Sequence, residues 1–448
     1  MIRIMFVSLG CDKNLVDTEK MLGILADRGF AFTDDENEAD VAVVNTCTFI
    51  GDAKEESIQT LIDLGALKQN GRLKALIAAG CLAQRYHEEI REQLPEVDAV
   101  VGTMAIESIA DAVESVLAGR QSREYLRDLQ YLPAVQGRRI VSTLGGHYSY
   151  LKIAEGCDKC CTYCIIPKVR GRFRSVPMED LVREARALAT QGVKELILVA
   201  QETTLYGVDL YGKKSLGELL RRLNEIPGLF WIRVLYCYPE EIDEDLICAM
   251  KECEKVVHYL DLPIQHADDR ILKRMGRRTN QRELREIIAR LRREIPDIAL
   301  RTTLISGFPG ETDEEHQELY RFVNEMEFDR LGVFSYSREE GTAAAGFPDQ
   351  IPEDVMEMRR GELMELQQAV SFEKSQEYVG QILWCMIDGR MEEDDVYVGR
   401  TWRDAPDVDG YIFIKTDAAL MTGDFVRVRV TDAGEYDLTG EIYHESAE

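Results

Sequence analysis

The sequence predicts an α/β chain in three parts: an N-terminal doubly wound parallel sheet, a central partial (β/α)6 barrel, and a small C-terminal antiparallel β-barrel of OB-like type. Three observations predict it. Short apolar runs alternate with amphipathic stretches of helical spacing through most of the 448 residues. Near residue 379 the pattern changes to short β-like runs separated by Gly and Asp turns. Cysteines recur directly after candidate strands, the place where open parallel sheets bind ligands.

The first domain, 1–118, has candidate strands IMFVSLG (4–10), VAVVNT (41–46), ALIAAG (75–80) and DAVVGT (98–103). Amphipathic stretches such as NLVDTEKMLGILADRG (14–29) separate them, so four units make a small doubly wound sheet. A loosely patterned, partly basic connector (119–147) leads into a second alternating series over 148–352. Its candidate strands are 148–156, 195–201, 231–237, 258–264, 299–306 and 331–337. Six units are too few for a closed eight-stranded barrel and fit an open, partial one, with chemistry at the carboxyl ends of its strands. A charged helix (353–378) joins it to a five-stranded module over 379–448, read from QILWCMID, YVGRT, YIFIKT, FVRVRVT and TGEIYH.

Composition narrows the function classes. No run of about eighteen apolar residues occurs, so no membrane partner is expected, and the start lacks a signal-peptide pattern. The expected location is cytoplasmic, where thiols stay reduced, which disfavours disulfides as the use of the eleven cysteines. The formal charge is −27, from 54 basic and 81 acidic residues. Such a surface repels polyphosphate at long range and attracts basic protein.

Two groups of thiols stand out. Cys11, Cys47 and Cys81 each follow a strand (SLGC, VNTC, AAGC), so residues more than thirty positions apart can converge on a shared metal centre. The second group lies in EGCDKCCTYCIIP (155–167), with Cys157, Cys160, Cys161 and Cys164 on one short loop. Zinc favours CxxC pairs well separated in sequence, and no second pair follows. Cys157, Cys161 and Cys164 give the spacing C-x3-C-x2-C. Three thiolates on one loop can hold three irons of a [4Fe–4S] cube and leave the fourth open. Cys160 falls outside this spacing and is expected to be a bystander.

That spacing, with Tyr163 before the last cysteine, is the signature of the radical S-adenosylmethionine superfamily. The resemblance implies that the open iron chelates S-adenosyl-L-methionine and that its cleavage yields a hydrogen-abstracting radical. It also makes Gln201 and Glu202 (after the second barrel strand), Gln265 and His266 (after the fourth), and Gly307 and Gly310 of GFPGET (307–312) candidate contacts for S-adenosylmethionine. A plain turn explains these six almost as well.

The order of a three-cysteine α/β domain, a C-x3-C-x2-C barrel and a small β-barrel resembles the radical methylthiotransferases along essentially the whole chain. The resemblance implies a second [4Fe–4S] cluster on Cys11, Cys47 and Cys81, a C-terminal TRAM domain, and a need for an electron donor and a sulfur source. SLGCDKNLVDTE (8–19), QETTLYGVDLYG (201–212) and YLDLPIQHADDRILKRMGRR (259–278) are similar to the branch that methylthiolates the β-carbon of an aspartate in small-subunit ribosomal protein twelve. A transfer-RNA methylthiotransferase is the alternative, and an iron–sulfur electron carrier a more distant one. From residue 376 onward, 17 Asp and Glu stand against 6 Lys and Arg. Nucleic acid is therefore not expected as substrate. The acidic TRAM domain is expected to dock the basic ribosomal protein, with Asp404, Asp407 and Asp409 in the docking surface.

Overall fold

Apolar runs of five or six residues, screened from water on both faces, build two parallel sheets. The computed structural model describes residues 1–120, 124–133, 138–391 and 395–444. The first sheet comprises β1 (Arg3–Ser8), β2 (Ala31–Phe32), β3 (Val41–Thr46), β4 (Ala75–Ala79), β5 (Ala99–Val101) and β6 (Glu124–Tyr125), in the order β2-β1-β3-β4-β5-β6. Alternate residues feed two cores: Ile4, Val41, Val43 and Ile77 pack with Leu25 and Val113 on one face. Met5, Val44, Leu76 and Ala78 pack with Leu61 and Leu64 on the other. This alternation requires helices on both faces. β2 and β6 extend the expected four strands to six.

The chain divides into two compact units, and the division differs from the expected boundaries. One unit holds 1–142 together with 154–176 and 337–345; the other holds 143–153, 177–336 and 346–448. The thiol loop therefore belongs with the N-terminal sheet. Apolar packing and hydrogen bonds account for it: Ile165 and Val169 bury against Cys81, and Thr103 Oγ1 donates to the Val169 carbonyl at 3.0 Å. The described part of the 119–147 connector is also more ordered than its composition implies. It supplies β6, and buried Arg139 pairs with buried Glu19, whose other oxygen accepts from the Ser142 amide at 2.7 Å. Residues 121–123 and 134–137 of that connector lie outside the described residues.

The second unit contains an open six-stranded parallel sheet. Its strands are β7 (Tyr148–Lys152), β10 (Glu195–Val199), β11 (Trp231–Val234), β12 (Val256–Asp261), β13 (Ala299–Ser306) and β14 (Arg330–Ser335), in sequential order across the sheet. The stretch predicted as one strand over 148–156 breaks at Ile153. A two-residue strand β8 (Ala154–Glu155) then pairs antiparallel with β9 (Arg174–Ser175) in the other unit. Strands β15 (Ile382–Arg390), β16 (Val396–Thr401), β17 (Ile412–Lys415), β18 (Phe425–Ala433) and β19 (Leu438–Ile442) close into a small barrel, ordered β15-β16-β17-β19-β18.

This small barrel covers the amino-terminal ends of the parallel strands through buried charge. Glu195, at the start of β10, receives Arg233 at 2.8 Å and Arg400 at 2.7 Å, and Arg400 also reaches Asp388 at 2.8 Å. Asp388 in turn meets the His147 ring at 2.6 Å. The same cap corrects the docking expectation. Asp404 is buried against Arg330, Asp409 accepts from the Tyr259 hydroxyl at 2.7 Å, and Asp407 accepts from the Tyr148 hydroxyl at 2.9 Å. Asp404 and Asp409 are spent inside the unit, against the guanidiniums of Arg330 and Arg301, whereas Asp407 stays exposed. Glu392, Glu393 and Asp394, which contribute to the acidic count, lie outside the described residues.

Candidate functional site

The three scattered cysteines meet because β1, β3 and β4 are neighbours and each thiol follows one of their carboxyl ends. Turn geometry brings them close. Gly10 has φ +86°, and a Cβ there would lie 2.8 Å from Cys47 Sγ, so any side chain at Gly10 would displace the thiol beside Cys11. Gly80, before Cys81, has φ +90° and its Cα faces Asn45 Oδ1 in the same manner. Cys47 and Cys81 are buried while Cys11 is exposed. Burial pushes the Cys81 thiol up to about 12, against the pull of Arg170, and also raises Cys47. Soft thiols that are costly to ionise alone suit a metal, whose charge stabilises the thiolate.

One side chain joins the three strand ends. Asn14 is fully buried, and its Nδ2 donates to the Leu9 carbonyl at 3.0 Å and the Thr46 carbonyl at 2.9 Å. Its Oδ1 accepts from Cys81 Sγ at 3.7 Å and from Arg170 Nη2. Arg170 is 1% exposed and also reaches Asp17 at 2.7 Å and Glu155 at 3.1 Å. It caps the helix Ile166–Val169, which starts two residues after Cys164.

The thiol loop is itself tightly pinned. The Cys157 amide donates to the Gly171 carbonyl at 3.1 Å, and the Cys164 amide to the Cys161 carbonyl at 3.0 Å. The Lys159 amide points at Cys157 Sγ, 3.5 Å away. Cys157 and Cys161 are buried and Cys164 half-buried. Cys160 is exposed, with φ +54°, a conformation that turns it out of the loop. Among the described residues no three His, Cys, Asp or Glu side chains stand close enough to hold a single ion. Ligands to separate corners of an iron–sulfur cube need a wider spread than ligands to one ion, and thiolates are its usual donors.

The carboxyl ends of the second sheet carry the other candidates. Glu202 is buried, and its Oε1 accepts from the Thr204 amide at 2.8 Å, which closes the turn after β10. Gln201, beside it, is half-buried. Gln265 takes φ +72°, and its Oε1 is buried with no hydrogen-bond partner among the described residues. An acceptor left this way invites a ligand donor.

His266 has a structural use. Its fully buried ring uses both nitrogens internally: Nδ1 accepts from the Asp268 amide at 3.0 Å, which leaves Nε2 to donate to Glu311 at 2.9 Å. Burial raises the Glu311 carboxyl, but His266, Arg359 and the Gly307 amide together hold it below the usual carboxylate range. The ring braces the GFPGET loop through Glu311. The glycines of that loop also have a local reason. A Cβ on Gly307 would lie 2.1 Å from Met356 Cγ of the helix Glu353–Gln376, and Gly310 packs over the Arg274 guanidinium.

Sequence reasoning missed Asn14, Asp17 and Arg170. Asn14 and Asp17 had a signal, since they share one helix face three and six residues after Cys11. Arg170 had none; only the folded chain brings it to them.

Three family profiles match the chain: uncharacterized protein family UPF0004 over residues 3–102, the radical SAM superfamily over 151–323, and the TRAM domain over 379–442. A protein of Lachnoclostridium phytofermentans named ribosomal protein uS12 methylthiotransferase RimO is 59% identical, over 98% of this chain and 99% of its own. Proteins of the same name from Thermoanaerobacter sp. and Clostridioides difficile are 49% and 47% identical, covering 97% and 100% of this chain and 98% and 100% of theirs. Among solved structures, the radical S-adenosylmethionine methyltransferase TsrM from Kitasatospora setae shares the fold, with a TM-score of 0.58 at 14% identity over 85% of this chain and 79% of that one.

Proposed function

This chain belongs to the RimO family of ribosomal protein uS12 methylthiotransferases, and from that premise we propose that it transfers a methylthio group to the β-carbon of an aspartate in uS12, in the cytoplasm. As a radical SAM enzyme it uses an iron–sulfur cluster and S-adenosylmethionine. We assign that cluster to Cys157, Cys161 and Cys164, and a second [4Fe–4S] cluster to Cys11, Cys47 and Cys81. The observation that carries the assignment is that all six cysteines lie in one compact unit, with Asn14 and Arg170 tying the thiol loop to the strand ends.

When bound, these groups supply one-electron cleavage of S-adenosylmethionine and a sulfur for transfer. The chain's own residues bind and orient. Gln265 Oε1 is a waiting acceptor for an N–H or O–H of S-adenosylmethionine, and Gln201 is a second polar contact at the same sheet edge. Glu202, His266 and Glu311 hold the turns that present them. An external electron donor and sulfur source complete the reaction. The basic substrate protein docks on acids of the small barrel that remain exposed and unburdened by the cap, such as Asp417 and Glu435.

Mass spectrometry of uS12 peptides and of digested transfer RNA, from cells lacking this gene, tests the reading. Loss of the methylthio group from uS12 alone is the expected result. Loss from transfer RNA alone would make the chain a nucleic-acid enzyme instead.

A further inference from the structure

We propose that Arg170 sets the reduction potential of the N-terminal iron–sulfur centre, acting from the loop that carries the other three thiols. The inference rests on the reading that Cys11, Cys47 and Cys81 hold such a centre.

The argument begins with an unusual sharing of one acceptor. Asn14 Oδ1 receives both Cys81 Sγ, at 3.7 Å, and the Nη2 of Arg170. A fixed positive charge therefore stands one carboxamide oxygen away from a ligand sulfur, at a position 1% exposed where water cannot screen it. A guanidinium is not deprotonated in a protein, so this charge is permanent.

Two carboxylates flank Arg170, and a second guanidinium, that of Arg174, donates to its backbone carbonyl at 3.0 Å. Asp17 and Glu155 are both within 3.1 Å, and both are buried. An iron–sulfur centre gains an electron on reduction, so nearby negative charge lowers its potential and nearby positive charge raises it. Arg170 is a cation held among Asn14, Asp17, Glu155 and Cys81, and its removal takes a buried positive charge away from the centre. A residue that only fastened the loop to the sheet would need the same hydrogen bonds but would leave the potential unchanged.

The test uses the full-length chain with C157A, C161A and C164A, so that only the N-terminal centre titrates. Iron content and the midpoint potential, followed by electron paramagnetic resonance, are measured for this parent and for added R170K, R170Q and N14D. At iron content equal to the parent, R170Q shifts the midpoint to lower potential and R170K stays near it. N14D places a carboxylate between Arg170 and Cys81 and also lowers the midpoint, so the proposal remains testable if R170Q folds poorly. Unchanged midpoints in R170Q, or in N14D where R170Q fails to load iron, would overturn it. A parent that binds no iron would refute the second centre itself, and the proposal with it.

Discussion

The molecule buries arginine–carboxylate clusters in two places, and the contrast between them separates function from support. In the N-terminal unit, Arg170 meets Asp17 and Glu155 and shares its acceptor with Cys81. At the amino-terminal ends of the barrel strands, Glu195 holds Arg233 and Arg400, and Arg400 holds Asp388. Arg170, Arg233 and Arg400 are all almost fully buried. In the second cluster, Glu195 and Asp388 answer Arg233 and Arg400, so it is a fastening for the small barrel. The first shares the acceptor of a cysteine thiol at the ends of three strands that each carry one. Buried charge alone is thus a weak sign of chemistry; what marks a site is what the charge faces.

The comparison breaks most visibly at the thiols. Removing any one of Cys157, Cys161 or Cys164 by alanine abolishes 5′-deoxyadenosine formation, a loss of at least about 100-fold. C160A leaves it within about twofold, since that residue is exposed in a left-handed turn. Equal loss in all four variants would erase the distinction between ligand and bystander.

A smaller effect belongs to the fastening. E195A or R400A strands a buried charge and costs about 3–5 kcal/mol, measured by urea unfolding, with iron content unchanged. The same cluster predicts an acid limit. Burial raises the Glu195 carboxyl, but Arg400 and Arg233 overturn that and hold it below its ordinary 4.5. Its contribution is therefore complete above the unfolded value and is lost as pH falls through the folded one. The difference in stability between wild type and E195Q should shrink below about pH 4.3. A difference that grew with acid would mean that the carboxyl is protonated in the folded chain.

At the sheet edge, Q265A weakens S-adenosylmethionine binding by about tenfold, since a ligand donor loses its acceptor. H266A lowers stability by about 1–3 kcal/mol with a smaller effect on that affinity, because the ring serves Glu311. Calorimetric titration separates the two, and the reverse order would restore His266 as a contact. The smallest effect is electrostatic: D417N with E435Q weakens binding of a basic uS12 peptide a few-fold at low salt and less at high salt. D404N acts instead on stability, through Arg330.

Much of this was legible in the residues. The alternation of apolar runs and amphipathic stretches marks both parallel sheets, and the switch at 379 marks the closed barrel, because local periodicity reports burial. SLGC, VNTC and AAGC identify the thiols because a strand end is a position in sequence as well as in space. Arg170 and the barrel cap were not legible. Arg170 meets Asn14 across 156 residues, and Asp404 meets Arg330 across 74. Nothing local marks a charge that will be buried by a distant partner. The acidic count of the C-terminal module could not pick out the exposed carboxylates for the same reason: a tally cannot distinguish those facing solvent from those facing guanidiniums.

The central claim is that the six cysteines of one compact unit hold two iron–sulfur clusters. Iron analysis with Mössbauer spectroscopy of the reconstituted full chain, beside C11A/C47A/C81A, tests it directly. The expected result is about eight irons per chain in [4Fe–4S] form, falling to about four in the variant. About four irons in both proteins would leave the N-terminal thiols without a cluster and contradict the account.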